Sequence, residues 1–235
     1  MDEGQNCLSA RQALILERSV GDYVRKGRPI TSEYLYRKYE FGIRPAMIRR
    51  ELSALGARDY LMQIHPSGGR IPTHKAYRFL INVLENREER RGGVRYASEM
   101  VSMVRDGALE VLAKALSDRL RLLSVVYEWE SDAIYNSGLD SLCRSRDLKD
   151  KGTILEVIRD FEMLHSRLAS ARGLWEENKR WPVFFVGSNE LTESDALSVA
   201  AGRVKAGRYG AVIVAIGPVR MDYGAVMDTF RALDV

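Results

Sequence analysis

Apolar residues recur at helical spacing almost from the start of the chain. Ser9-Ala10-Arg11-Gln12 has the form of a capping box, and Ala13, Leu16, Val20, Tyr23 and Val24 follow at helical intervals, which predicts a first helix over about 10–26. Gly27 and Pro29 end it, glycine because it accepts a left-handed cap and proline because it cannot continue a helix. Thr31 or Ser32 can cap a short second helix carrying Tyr34, Leu35 and Tyr39, and Gly42 marks the turn after it. A third helix is expected from Arg44-Pro45 to about Gly56. At about 100° per residue, Ile48, Leu52 and Leu55 fall on one side of it. Ala46, Arg50 and Ser53 lie opposite, flanked by Met47 and Arg49. One face can pack while the other is presented.

The period then changes. Tyr60–Ile64 reads as a strand, Pro66-Ser67-Gly68-Gly69 as a turn and Arg70-Ile71 as a short returning strand, so a hairpin is expected with His65 and Arg70 near its tip. Three short helices followed by a hairpin make the pattern of a winged helix-turn-helix, whose commonest use is contact with DNA.

Lys75 to about Leu84 is again helical, and Asn86–Arg95 is almost wholly charged or glycine, the composition of a linker. A long helical region is expected over about 98–126, with Met100, Val104, Val111, Leu112, Ala115, Leu116 and Leu123 among its apolar positions. Such a stripe serves either as intramolecular core or as a dimer seam. Gly138 and the polar run Arg144–Gly152 interrupt the chain; Ile154, Ile158, Phe161, His165 and Leu168 then form a helical stripe in which His165 is expected to pack. Pro182–Gly187 reads as a buried strand, Thr192–Lys205 as a helix opened by Thr192 or Ser194, and Ala211–Ile216 as a second buried strand stopped by Gly217-Pro218. A last helix is expected over about Tyr223–Leu233. The fold class is therefore α+β, with a winged helix-turn-helix over 1–80, a linker over 81–97 and a helical and α/β part over 98–235.

Composition adds where the function lies. Of 235 residues, 46% are hydrophobic and 29% charged, an ordinary globular balance. The formal charge of +4 hides an asymmetry: residues 1–80 carry 14 Lys and Arg against 8 Asp and Glu, and the rest of the chain 22 against 24. All the excess basicity sits in the first third, as expected of a domain that meets a polyanion. Asp2 and Glu3 stand where a secretory signal needs basic residues, and no apolar run approaches the roughly 18 residues of a membrane span, so a cytoplasmic protein is expected. Cys7 and Cys143 lack the spacing of a zinc or redox motif and read as reduced thiols. His65, His74 and His165 form no metal-binding pattern, and the chain has no P-loop, GxSxG elbow or GxGxxG fingerprint. Neither metal, cofactor nor enzymatic activity is expected.

Several segments together resemble the heat-inducible transcription repressor HrcA family. Over Leu8–Phe79 these are Arg11-Gln12 and Ile15-Leu16, Ala46-x-Ile48-Arg49-x-Glu51, Tyr60-Leu61-x-Gln63, and the more specific block Ser67-Gly68-Gly69-Arg70-Ile71-Pro72-Thr73 with Lys75-x-Tyr77-Arg78. Far from these, Gly217-Pro218-Val219-Arg220-Met221-Asp222-Tyr223 is similar to the family's Gly-Pro-Thr-Arg-Met-Asp-Tyr block. Ile134-Tyr135-x-x-Gly138 and Phe161-Glu162 also fall at matching places. The sequence departs from the family at Arg50, Asp59, Ile64 and Pro66, and is shorter between about Leu122 and Ile134. The resemblance thus implies a reduced GAF-like C-terminal domain, with the usual inserted dimerisation domain absent or curtailed.

What the resemblance implies for function is a sequence-specific DNA-binding repressor of heat-shock (chaperone) genes, a homodimer on an inverted-repeat operator, with a chaperonin as modulator. Arg50, Met47 and Ala46 would face base edges, arginine pairing with guanine and the apolar side chains meeting thymine methyl groups. Arg44, Arg49, His65 and Arg70 would meet phosphate or lie along the minor groove, and Thr31, Ser32 and Ser53 complete the expected DNA-facing set. Structural roles compete: Arg49 could pair with Glu51 or Glu40, His65 could hold a turn, and Arg220 and Asp222 could fix the last helix. The rival class is a protein-interaction or small-molecule-sensing module with weak or no specific DNA binding.

Overall fold

The computed structural model of the protein describes residues 8–65, 68–87, 94–171, 173, 181–206 and 209–233. These form two compact units that divide between Arg87 and Glu88.

The first unit runs α1 (Ala10–Lys26), α2 (Ser32–Lys38), α3 (Pro45–Ala57), β1 (Leu61–Gln63), β2 (Arg70–Pro72) and α4 (His74–Glu85). The capping box forms as the sequence requires: Ser9 Oγ accepts from the Gln12 amide and Gln12 Oε1 from the Ser9 amide. Gly27 closes α1 at φ 63°, a left-handed cap that a side chain would strain. Thr31, not Ser32, caps α2, its hydroxyl accepting from the Tyr34 amide at 3.1 Å. The core joins Ile15, Leu16 and Val20 of α1 to Leu35, Ile48, Leu52, Leu55, Tyr77, Leu80 and Ile81. β1 and β2 pair antiparallel, with Met62 opposite Ile71. Arg70 also exchanges both backbone hydrogen bonds with Ile30 at 2.8 Å, so the loop before α2 extends the hairpin by one bridge. That approach needs Gly69, because a Cβ there would lie 2.8 Å from Pro29 Cβ and 2.9 Å from the Ile30 carbonyl oxygen.

The second unit contains α5 (Val94–Arg105), α6 (Leu109–Leu120), β3 (Leu123–Glu128), β4 (Ala133–Ser137), α7 (Leu139–Cys143), α8 (Lys151–Ser170), β5 (Val183–Val186), β6 (Leu197–Ala206), β7 (Tyr209–Pro218) and α9 (Tyr223–Arg231). Its five strands make one antiparallel sheet in the order β4-β3-β7-β6-β5. Residues alternate between the two faces of a strand. Leu123, Val125 and Tyr127, with Leu197, Val199, Ala201, Val212, Val214 and Ile216, meet Leu142 of α7 and Val157, Leu164 and Leu168 of α8. On the opposite face Ser198 Oγ lies 2.8 Å from Tyr223 Oη of α9, and a Cβ on Gly202 would lie 2.9 Å from the Phe230 ring. The specific block before α9 is structural: Arg220 donates twice to Asp147 at 2.9 Å, Asp222 caps α9 through the Ala225 amide, and Tyr223 Oη donates to the Val219 carbonyl.

Four expectations are corrected. The continuous helix over 98–126 is two helices and a strand, because Asp106–Ala108 breaks it, with Gly107 at φ 71°, and Leu123–Val126 enter the sheet centre, buried on both faces. The expected helix over 192–205 is instead a loop and strand β6. Its opening Thr192-Glu193-Ser194 looked like a helix cap, but the buried Asp160 carboxylate accepts from the Thr192 hydroxyl and the Glu193 and Ser194 amides. β6 then buries residues on both faces and so lacks the alternation that would reveal it. His165 does not pack in the α8 stripe, which is Val157, Asp160, Leu164 and Leu168; its exposed ring meets Asp132, with Nε2 3.2 Å from Oδ1. The Tyr127 hydroxyl and His165 both hold the Asp132 carboxyl below its ordinary value. Finally, β5 is an edge strand, half-buried at Val183, Phe184 and Phe185.

The segment 81–97 expected as linker also contains the end of α4 and the start of α5. The stretch near Leu122–Ile134 that the resemblance led one to expect to be shortened is a tight β3–β4 hairpin, with Glu128 opposite Ala133. Cys143 is a half-buried free thiol, and Cys7 lies outside the described residues. Among the described residues no helix is long and apolar enough to cross a membrane, and no three His, Cys, Asp or Glu gather as metal ligands.

Candidate nucleic-acid interface

α3 divides along its length as its periodicity predicts. Ile48, Leu52 and Leu55 have no exposed surface, while Arg44, Ala46, Met47, Arg49, Arg50 and Ser53 are all exposed. Pro45 begins the helix, and Arg44 is its N-cap without a side-chain hydrogen bond to the helix. Pro45 has no N–H and the Met47 and Ile48 amides donate to the Arg44 carbonyl at 2.9 and 3.2 Å, so what the helix start offers an anion is the Arg44 side chain and the positive end of the helix dipole.

Which carboxylates neutralise these arginines decides what the face can do. Glu51 of α3, one of the two acids that could have paired with Arg49, is instead taken up by α1: its Oε1 accepts from Arg11 at 3.0 Å and its Oε2 from Gln12 at 3.0 Å. Arg44, Arg49 and Arg50 then form no ion pair among the described residues. Arg70 reaches from the hairpin onto the same helix, its guanidinium donating to Ser53 Oγ at 2.9 Å. Burial, and then the neighbouring Arg49 guanidinium, hold Arg70 below the ordinary guanidinium value. Arg49 thus acts on Arg70 through its charge, and neither guanidinium is in an ion pair among the described residues. That repulsion costs free energy unless a polyanion relieves it.

Thr31 is exposed at the start of α2 with its hydroxyl spent on the cap, whereas Ser32, one residue on, is buried. Among the expected residues, Ser32 is therefore the least able to reach a ligand. His65 is exposed on the hairpin; its carbonyl, not its ring, accepts the turn bond from the Gly68 amide at 2.9 Å. Met62 and Ile64 add exposed apolar surface on β1 and just beyond it.

Sequence reasoning missed the group that seats α2. The Asp22 carboxylate of α1 has no exposed surface and accepts from Arg25 on its own helix, from Lys38, from Tyr34 Oη at 2.7 Å and from Tyr39 Oη at 3.0 Å. Burial alone would raise its pKa; the hydrogen bonds from Lys38, Tyr34, Arg25 and Tyr39 outweigh it and bring the value to about 2. They raise Lys38 above its ordinary range in turn. Asp22 falls inside an amphipathic helix with Arg25 as its local partner, and only the arrival of α2 adds Lys38, Tyr34 and Tyr39, so spacing alone did not mark it as a hub. Beside this network, Tyr36–Arg44 line an open groove of about 640 Å³ over the α2–α3 turn.

Fold and surface define a two-unit α+β protein whose first unit turns an unneutralised basic helix face and a hairpin outward. Residues 74–227 match the family described as HrcA protein C terminal domain, which spans more than half of the chain. The chain belongs to the HrcA family. Among curated relatives, it is 39% identical over 80 residues to a heat-inducible transcription repressor HrcA of Roseiflexus castenholzii, 34% of this chain and 22% of that protein. It is 46% identical over 76 residues to that of Bifidobacterium animalis subsp. lactis, 32% and 21% of the two chains. It is 35% identical over 122 residues to that of Bifidobacterium longum, 50% and 32%. The matched stretches thus span about a fifth to a third of those relatives' length. A crystal structure described as a hypothetical protein shares the fold, with a TM-score of 0.68 at 14% identity over 97% of this chain and 96% of that one.

Proposed function

We propose that this protein is a cytoplasmic transcriptional repressor that reads duplex DNA through a winged helix-turn-helix. The domain would occupy about residues 1–80, with a linker near 81–97 and a reduced GAF-like regulatory and oligomerisation part over 98–235. The observation that carries the reading is the outer face of α3, where Arg44, Arg49 and Arg50 have no acidic partner among the described residues and Arg70 lies alongside. A helix about 20 Å long fits a major groove that is roughly 12 Å wide. Arg50, Ala46 and Met47 meet base edges. Arg44, Arg49 and Arg70 meet phosphate, and the hairpin with His65 lies along the adjacent groove. Ser53 holds Arg70 in place, and Thr31 brings the N-terminus of α2 against the backbone; Ser32 supports that turn from within.

Two copies occupy the halves of an inverted repeat upstream of heat-shock genes and exclude the transcription machinery, with a chaperonin as modulator. The relatives' name supports the heat-inducible part of this reading. Fluorescence anisotropy of labelled duplexes over a salt series tests it, comparing an inverted repeat from upstream of a chaperone gene in the source genome with a scrambled duplex. The expected result is a preference of at least about a hundredfold for the repeat, weakening as salt rises. Equal weak binding to both duplexes would remove sequence specificity, and no binding would sink the reading.

A further inference from the structure

Helix α8 packs on the sheet with one stripe, Val157, Asp160, Leu164 and Leu168, and turns a second, unusual face outward. Nine large apolar residues are exposed among the described residues, and three of them, Leu155 at 56%, Met163 at 51% and Ile158 at 39%, share this one helix. Between them stand Arg159 and Glu162, both exposed and neither in an ion pair among the described residues. At about 100° per residue Leu155, Arg159, Glu162 and Ser166 lie within roughly 60° of one another, with Ile158 and Met163 on either flank.

The order of these residues is self-complementary. Arg159 and Glu162 sit at equal distances on either side of the point between Asp160 and Phe161, and so do Ile158 and Met163, and Leu155 and Ser166. We propose that the outward face of α8 is an interface with a second copy of this chain, packed antiparallel about a two-fold axis at that point. The axis sets Arg159 across from the partner subunit's Glu162, and runs Ile158 along one edge of the seam with the partner subunit's Ile158 and Met163 along the other edge with the partner subunit's Met163. The Arg159–Glu162 contact is made twice, as in any isologous interface. A parallel pairing would set Arg159 against the partner subunit's Arg159, so the charges select the antiparallel arrangement. Two exposed apolar flanks with an opposite-charge pair between them are the ingredients of a small helix–helix contact.

This inference rests on the homodimer of the proposed function and names its surface. One crossing of two 20-residue helices buries less than the standard interface of about 1,600 Å². The dimer is therefore weak in free solution, with Kd in the range of about 1–100 µM. Two copies held on adjacent half-sites meet at an effective concentration near millimolar, which suffices to close such a contact.

Sedimentation equilibrium of the full chain without DNA, up to about 300 µM, tests it. The wild type is expected to associate to a dimer and Leu155→Glu to lose association by at least about tenfold, because a charge would be buried twice. Arg159→Glu and Glu162→Arg are each expected to weaken the dimer by about tenfold, while the double reversal returns it to within about threefold of wild type. Because all three positions are exposed, circular dichroism should be unchanged, which separates lost association from lost folding. A monomeric wild type throughout, a Leu155→Glu variant that dimerises as well as wild type, or a double reversal no better than either single would overturn the assignment. Anisotropy with a half-site duplex, which a monomer can bind, tests the DNA reading separately: wild type failing there counts against DNA recognition and leaves the α8 result standing.

Discussion

Replacing Asp22 by asparagine removes one charge and nearly nothing else, so its cost can be worked from the structure. The carboxyl lies at about 2 in the folded state against 3.8 for the free side chain. At 1.36 kcal/mol per pKa unit, this amounts to about 2 kcal/mol of stability at neutral pH. Because the folded value is depressed, that stability is fully present above the unfolded value of 3.8 and is lost as pH falls through about 2. Asp22→Asn should therefore destabilise the first unit by about 2 kcal/mol from pH 5 to 8, and the gap to wild type should close as pH drops from about 4 to 2. Urea denaturation followed by far-UV circular dichroism measures it. The tryptophans, 129, 175 and 181, all belong to the second unit, so their fluorescence is an internal control that should not move. A difference under about 0.5 kcal/mol at pH 7, or one that persists undiminished at pH 2, would refute the reasoning that this carboxylate is held charged by α2.

Arg49→Ala should weaken binding to every duplex alike and lower the slope of log K against log salt by about 0.9, one phosphate's share; Arg50→Ala should chiefly relax base preference, by about 1–3 kcal/mol at one position of the site. Anisotropy titrations on single-base variants of the operator separate the two. Gly69→Ala should cost about 1–3 kcal/mol by thermal denaturation, since its Cβ would lie 2.8 Å from Pro29 Cβ, and hydrogen exchange should show the Ile30 and Arg70 amides losing protection. Asp160→Ala should destabilise the second unit by about 2–4 kcal/mol, by leaving the Thr192 hydroxyl and the Glu193 and Ser194 amides without their acceptor; calorimetry showing no change would contradict the role given to Asp160.

Where local chemistry decides an element, the sequence by itself was sufficient. The Ser9–Gln12 box, the Gly27 cap and Pro45 at the head of α3 set the helices of the first unit to within a residue or two, because each acts over one turn. The split of α3 into a buried Ile48, Leu52, Leu55 face and an exposed arginine face was likewise legible, since a surface helix must show one side to the core. Tertiary structure decided what periodicity could not carry. β6 is buried on both faces, which erases the alternation that marks a strand, and the Thr192–Ser194 cap signal answers to Asp160 from another helix. The charge state of the exposed α3 face was decided in the same way. Among the described residues Arg49 has no ion-pair partner, since Glu51, two residues away in sequence, turns to Arg11 and Gln12, and Asp22 becomes a hub only when Lys38, Tyr34 and Tyr39 close around it. Short-range rules placed the helices and their faces, while the long-range pairing of buried carboxylates determined which cations remain for a ligand.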